Sequence, residues 1–198
     1  ISRSRYWGAT LPVWKCDKCE KIKIIGSIND IKKHCVKSNN KYFVMRHGEA
    51  EHNVLNITNN ILETSIKYNL TEKGKQQTKQ TSQKLKDKKI DLIFSSDFHR
   101  AKQTAIIVAE EIGLNKEKII YDSRIRECNI PTFSEGPSAN YYNFYPSLLE
   151  RFYKRPPMGE NLNDLKKRMA EFLYELEKKY FGKNILIISH EYPIWLIF

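Results

Sequence analysis

Cysteine is scarce in this chain: there are four in 198 residues. Two of them, Cys16 and Cys19, form a C-x-x-C, so the set does not resemble the framework of a disulfide-stapled secreted domain. Long apolar runs are missing as well. None approaches the ~20 residues that a helix needs to cross a bilayer. The first residues lack the basic, apolar and small-residue order of a signal peptide. These absences place the chain in the cytoplasm, with no membrane partner. An initiator Met is also absent, and the chain stops on the apolar run Ile194 to Phe198, so a fragment of a longer protein is expected. Acidic residues are outnumbered, 23 against 34 Lys and Arg, a net charge of +11. The excess is uneven. Residues 1–40 hold nine basic and three acidic residues (+6), and 41–198 hold the other 25 and 20 (+5). A basic segment suits a polyanion such as RNA, although a solvated lysine-rich surface has the same composition.

What is present changes character near residue 38. The polar stretch "KSNNK", 37–41, reads as a linker. Beyond it strands alternate with helices. Strands are expected at 41–46, 90–96, 118–121 and 184–189. Helices are expected at 70–89 with Thr71 as N-cap, at 99–113 ended by Gly113, and at 160–180 with apolar residues at helical spacing. Residues 122–158 are irregular and rich in Pro and Tyr. The alternation implies an α/β fold, a mainly parallel sheet covered on both faces.

Three of the strands end in chemically able residues. The first runs into Arg46-His47-Gly48, with Asn53 close behind. The second ends in Ser95-Ser96-Asp97, and Arg100 follows. The last ends in Ser189-His190-Glu191. Ligands of open α/β sheets bind beyond the carboxyl ends of strands. A lone His or Arg at such an end is usually a surface residue, but three equivalent ends are harder to dismiss. Two arginines and two histidines make an anion site, because guanidinium forks match the oxygens of a phosphate. Gly48 is expected to let the backbone approach the ligand, and Asn53 to donate one more hydrogen bond. A neutral imidazole at His47, its pKa held down by Arg46, can attack phosphorus. Glu127, in "DSRIRECN", is the candidate acid for the leaving oxygen. Pairing of Glu127 with Arg124 or Arg126 on the surface is the alternative.

The ordered stretches "RHGEAEHN", "SSDFHRAKQTA", "RIRE" and "IISHEYPI" resemble the histidine phosphatase superfamily, the phosphoglycerate-mutase-like group, over residues 41–198. The resemblance implies a three-layer α/β/α sandwich, truncated at its C-terminus, with His47 as the phosphorylated nucleophile. It implies a phosphate pocket of Arg46, Arg100 and His190 with Asn53 beside them, Glu127 as proton donor, a small phosphorylated substrate, and no cofactor for the chemistry. Two readings stay open beside hydrolysis: a silent phosphate- or RNA-binding module, and a phosphoglycerate mutase. Glu191 stands where the family often has Gly, and is expected to point away from the site. Glu51 is expected to be solvated. Pro131 stands where many relatives have glycine. Tyr141, Tyr142, Phe144 and Tyr145 are expected to cap the site, with packing against the sheet as the alternative.

Residues 1–33, beginning "ISRSRYWGATLPVWKCDKC", are similar to a segment of class I aminoacyl-tRNA synthetases of the isoleucyl type. That resemblance implies an N-terminal unit of about residues 1–40, a small zinc-knuckle-like appendage, and a parent isoleucine–tRNA ligase into which the phosphatase domain is inserted, with tRNA as a partner through that parent. The H-x-G-H and K-M-S-K-S motifs of ATP binding are absent here. Cys16 and Cys19 are half of a four-ligand structural zinc site. His34 or Cys35, or a second pair beyond residue 198, would have to complete it; two unligated thiols are the alternative. Cys128 reads as a bystander.

Overall fold

The computed structural model describes residues 13–15, 19–24 and 38–197. The chain divides into two compact units, Ile1–Lys37 and Ser38–Phe198. In the first, β1 (Val13–Lys15) pairs antiparallel with β2 (Ile22–Ile24). Cys19 is exposed on the turn between them. Cys16, His34 and Cys35 lie outside the described residues, as does most of the synthetase-like stretch.

The second unit is built on four parallel strands in the order β3-β6-β4-β5. They are β3 (Lys41–Arg46), β4 (Leu92–Ser95), β5 (Ile119–Tyr121) and β6 (Asn184–Ser189). The chain leaves β3, skips a place to reach β4, and fills the gap last with β6. Period-two alternation sends β6 side chains to opposite faces. Leu186 and Ile188 pack with Ala101, Ala105 and Val108 on one side. Ile185 and Ile187 pack with Leu165, Met169 and Phe172 on the other. Both faces are therefore covered, as the near-continuous apolar run "ILII" requires.

The helices over the first face are α3 (Glu72–Gln83) and α4 (His99–Ile112); α7 (Leu162–Lys179) lies over the second. Each has a local reason to start or stop. Thr71 Oγ1 accepts the Gly74 N–H at 2.9 Å, an N-cap worth about 1 kcal/mol. Gly113 ends α4 in the left-handed region at φ 71°. Asn161 and Asp164 form a reciprocal capping box at the start of α7. The expected helix over 70–89 is shorter than its sequence pattern. It stops at Gln83, and a 3-10 turn, Lys86–Lys88, closes with Lys89 at φ 49°. The irregular stretch 122–158 contains short helices, α5 (Ser138–Phe144) and α6 (Glu150–Tyr153), and a 3-10 turn that Pro131 begins. Three more short helices complete the unit: α1 (Glu51–Val54), α2 (Leu62–Ser65) and α8 (Glu191–Ile197). No helix among the described residues is long and apolar enough to cross a membrane.

Candidate active site

Strand register brings the motif ends together. Arg46 pairs with Ser189 across β3 and β6, so His47 and His190 leave neighbouring strands side by side. Their rings lie 5.0 Å apart. Ser95 pairs with Ile188, so Ser96 leaves the same edge, and its Oγ sits 2.8 Å from His190 Nε2. Arg100, in the first turn of α4, places its Nε 3.1 Å from His47 Nε2. A cavity of about 240 Å³ opens over this edge. Arg46, His47, Asn53, Arg100 and Glu127 all line it. His190 is fully buried beneath.

The contacts of His47 fix its tautomer. Nδ1 lies 2.7 Å from the carbonyl oxygen of Gly48, which can only accept, so Nδ1 carries the hydrogen. Nε2 faces the Nε–H of Arg100, which can only donate, so Nε2 presents its lone pair. Burial leads in holding the His47 pKa well below 6.5, and the cation of Arg100 follows. Arg46 contributes too, but it is a lesser cause than the sequence suggested. His190 is held well below 6.5 by burial and by Arg100 in the same way. Its Nδ1 is buried without a hydrogen-bond partner among the described residues. Arg100 is 2 % exposed, and burial lowers its pKa to about 10, so it stays cationic at neutral pH.

Glu127 lies in the loop after β5. Its carboxylate accepts from the backbone N–H of Cys128 at 2.9 Å and of Tyr192 at 3.5 Å. Burial raises its pKa above 4.5, outweighing those hydrogen bonds and the cation of Arg100. The alternative of a surface pair is not what forms: Arg124 binds Asp122 and Glu175, and Arg126 binds Asp97. Asn53 uses Oδ1 to accept the Ala50 N–H at 3.0 Å, and its Nδ2 faces His52 Nε2 at 3.1 Å.

Three expectations need correction. Gly48 has no Cβ because of the protein itself. A Cβ there would meet Gly74 O at 2.5 Å and Thr78 Oγ1 at 2.6 Å, so the glycine lets the loop pack on α3. Glu191 does not point away. It lines the cavity and pairs with Arg46 at 3.3 Å. Glu51 is exposed but is more than solvated, since its carboxylate accepts the Asn69 N–H at 2.8 Å. The aromatic residues of the irregular stretch divide: Tyr141 and Tyr142 line the cavity, while Phe144 and Tyr145 pack inward with Phe133 and Tyr141. Cys128 is a buried thiol whose pKa burial raises, unsuited to nucleophilic work.

The sequence reading missed three residues. His52 is a third buried histidine at the cavity, its pKa lowered to about 3 by burial first and by Arg100 next. Asn59 grips Arg100 twice, through Oδ1 at 3.0 Å and its own carbonyl at 3.1 Å. Its amide is oriented because Nδ2 donates to Glu135 and to Thr64, both at 2.9 Å. Arg168 of α7 binds the carbonyls of Arg124, Arg126 and Glu127, which holds the loop that carries the carboxyl. Only His52, next to Asn53, carried a local signal. The others act from segments whose approach no spacing reveals.

Comparison with known proteins follows the same residues. The family model described as "Histidine phosphatase superfamily (branch 1)" matches residues 42–198. Phosphoserine phosphatase 1 of Hydrogenobacter thermophilus is 28% identical over 159 residues, 78% of this chain and 72% of that protein. A protein of Erwinia tasmaniensis named "Probable phosphoglycerate mutase GpmB" is 28% identical over 153 residues, 75% of this chain and 68% of that one. The solved structure of YhfR from Bacillus stearothermophilus superposes with a TM-score of 0.66 at 23% identity, covering 80% of this chain and 77% of that one.

Proposed function

This chain belongs to the histidine phosphatase superfamily, and from that premise we propose that it hydrolyses small phosphomonoesters through a phosphohistidine on His47. The observation that carries the proposal is the fixed tautomer of His47, whose unprotonated Nε2 faces the guanidinium of Arg100. A nucleophile aimed at an arginine is aimed at the place an anion occupies.

The steps follow from the groups present. A phosphate dianion enters between Arg46 and Arg100, with Asn53 Nδ2 at its side. Three of the five N–H groups of Arg100 are already engaged by His47 and Asn59, which leaves two for phosphoryl oxygens. The unpartnered Nδ1 of His190 is part of this reading. A buried ring nitrogen without a partner costs roughly 1–3 kcal/mol, and in the Nδ1–H tautomer, with Ser96 Oγ donating to Nε2, a phosphoryl oxygen would supply the acceptor. His47 Nε2 gives up its hydrogen bond from Arg100 Nε–H, which turns to the phosphoryl group, and attacks phosphorus as the ester P–O bond breaks. Nδ1–H keeps its bond to Gly48 while the ring gains positive charge. Glu127, whose pKa is raised chiefly by desolvation, gives a proton from its acid form to the leaving oxygen. The resulting carboxylate takes a proton from water as that water attacks the phosphohistidine. The P–N bond breaks, phosphate leaves, and both residues return to their starting states.

Hydrolysis fits better than mutase chemistry. Among the described residues, Arg46 and Arg100 are the only lysines or arginines lining the cavity, and both are needed for one phosphate. A mutase acting on an acidic substrate requires a further cation. A silent binding module would have no use for a carboxyl of raised pKa lining the cavity beside the nucleophile. The test is release of phosphate from p-nitrophenyl phosphate by wild type and His47→Ala. Turnover by the wild type alone is expected, and equal rates would overturn the mechanism. The likeness of residues 1–33 to an isoleucyl-tRNA synthetase extends the proposal to a parent chain that binds tRNA in the cytoplasm, with Cys16 and Cys19 on a structural zinc. The relatives above lend this part no support. Reading the gene beyond both ends tests it: synthetase ATP-binding motifs are expected there, and their absence would remove the extension.

A further inference from the structure

Glu191 places a carboxylate at the mouth of a phosphate site, which is a poor arrangement for most phosphomonoesters. Its side chain is about half exposed, lines the cavity and holds Arg46 at 3.3 Å. Because Arg46 bridges, Glu191 sits one guanidinium width from the phosphate that Arg46 would bind. The charges on the cavity wall can be added up. Arg46 and Arg100 contribute +2, Glu191 contributes −1, and the lining histidines are neutral at pH 7 because burial depresses them. Glu127 adds no charge in the protonated form that its acid role requires. A bound dianion therefore leaves the wall and phosphate together at −1. A neutral leaving group keeps that deficit, and an acidic one deepens it to −2. A leaving group with an ammonium cancels it.

The rest of the wall suits such a group. Among the described residues, the rest of the lining offers the hydroxyls of Thr58, Ser138, Tyr141 and Tyr142 and tyrosine ring faces but no further cation; the Tyr192 hydroxyl already accepts from Arg151 at 2.6 Å. Tyr142 is 47 % exposed, so its ring is available. The same tyrosine cluster already holds one cation: Arg151, which does not line the cavity, packs over Tyr142 at 5.0 Å and Tyr141 at 5.4 Å. Aromatic faces beside a carboxylate are the surroundings in which ammonium groups bind. Resting on the phosphatase reading above, we infer that the preferred substrates are phosphomonoesters of amino alcohols, whose ammonium pairs with Glu191 when the phosphate takes over Arg46.

Three two-carbon phosphates of matched size test this: 2-aminoethyl phosphate, 2-hydroxyethyl phosphate and carboxymethyl phosphate. Each is measured as a competitor of p-nitrophenyl phosphate turnover at pH 7.5, for wild type and for Glu191→Gln. In the wild type the amine should compete best, on the order of 3–5-fold better than the hydroxyl compound, the upper part of the range expected for a partly exposed ion pair. The carboxylate should compete worst. In Glu191→Gln the amine and hydroxyl compounds should fall within about a factor of two, since the pair is lost. Equal competition in the wild type, or an amine preference that survives in Glu191→Gln, overturns the inference while leaving the phosphatase intact. No turnover of p-nitrophenyl phosphate by the wild type overturns both.

Discussion

Acid should destabilise this protein well above the pH at which carboxylates protonate. His47, His52 and His190 are buried, and each has a pKa held below 6.5. A depressed pKa means that the unfolded chain binds protons the folded one refuses. The stability is fully present above pH 6.5 and is lost as pH falls below it, toward the folded values. For one histidine that titrates at 6.5 unfolded and stays neutral folded, the loss between pH 7 and pH 5 is about 2 kcal/mol. His52, whose folded pKa is about 3, accounts for about 2 kcal/mol, and His47 and His190 act in the same direction. Glu127 works the other way, because its folded pKa is raised, but it offsets at most about one of the three protons. The assay is urea unfolding at pH 7, 6 and 5, with the midpoint read at each. His52→Gln removes one titrating group, so its stability should fall by about 2 kcal/mol less over that range. A midpoint that holds steady from pH 7 to 5, or an identical pH slope in His52→Gln, would refute the reasoning.

Glu127→Gln should slow hydrolysis of an alkyl phosphate by roughly 10²–10⁴-fold and of p-nitrophenyl phosphate far less, since a nitrophenolate leaves without a proton; equal slowing of both would deny Glu127 the acid role. The wild-type rate on the alkyl ester should fall as pH rises through the raised pKa of Glu127, a limb that Glu127→Gln should lose. Arg100→Lys keeps the charge but loses the fork, so vanadate inhibition should weaken by roughly 10–100-fold; unchanged inhibition would mean that Arg100 does not hold the anion. Glu135 sits at φ 64°, so Glu135→Gly removes the carboxylate that orients Asn59 without adding backbone strain. It should lower kcat/KM about tenfold, the scale of one oriented hydrogen bond, with His47 still phosphorylated; a rate equal to wild type would show that the amide of Asn59 needs no such support.

The parts of the fold legible in the sequence were those governed by short-range rules. β3 and β6 have the expected limits because each is an apolar run flanked by polar residues, β6 buried in the sheet and β3 partly buried at its edge. Thr71 and Gly113 mark helix ends through capping, which acts over a few residues. The convergence of His47, Arg100 and His190 was legible from the rule that ligands lie beyond strand ends. What was not legible acts across the chain. Asn59 reaches Arg100 from a loop with no periodicity, 41 residues away in sequence. Arg168 reaches the Glu127 loop from a helix whose spacing describes only its buried face. Gly48 was legible as a special position but for the wrong reason, because the neighbour that requires it, Gly74, belongs to another element. The raised pKa of Glu127 was not legible either, because its first cause is desolvation, which sequence does not give.

The central claim is a covalent bond between phosphorus and Nε2 of His47. The most direct measurement is rapid quenching of the enzyme in alkali during turnover of p-nitrophenyl phosphate, followed by mass mapping of the phosphorylated peptide. Alkali is used because phosphohistidine survives it and phosphoserine does not. Phosphate is expected on the peptide that holds Arg46-His47-Gly48, in wild type and, accumulating further, wherever attack of water on the intermediate is slowed. A phosphate found on another residue, or turnover that proceeds undiminished in His47→Ala, would contradict the account.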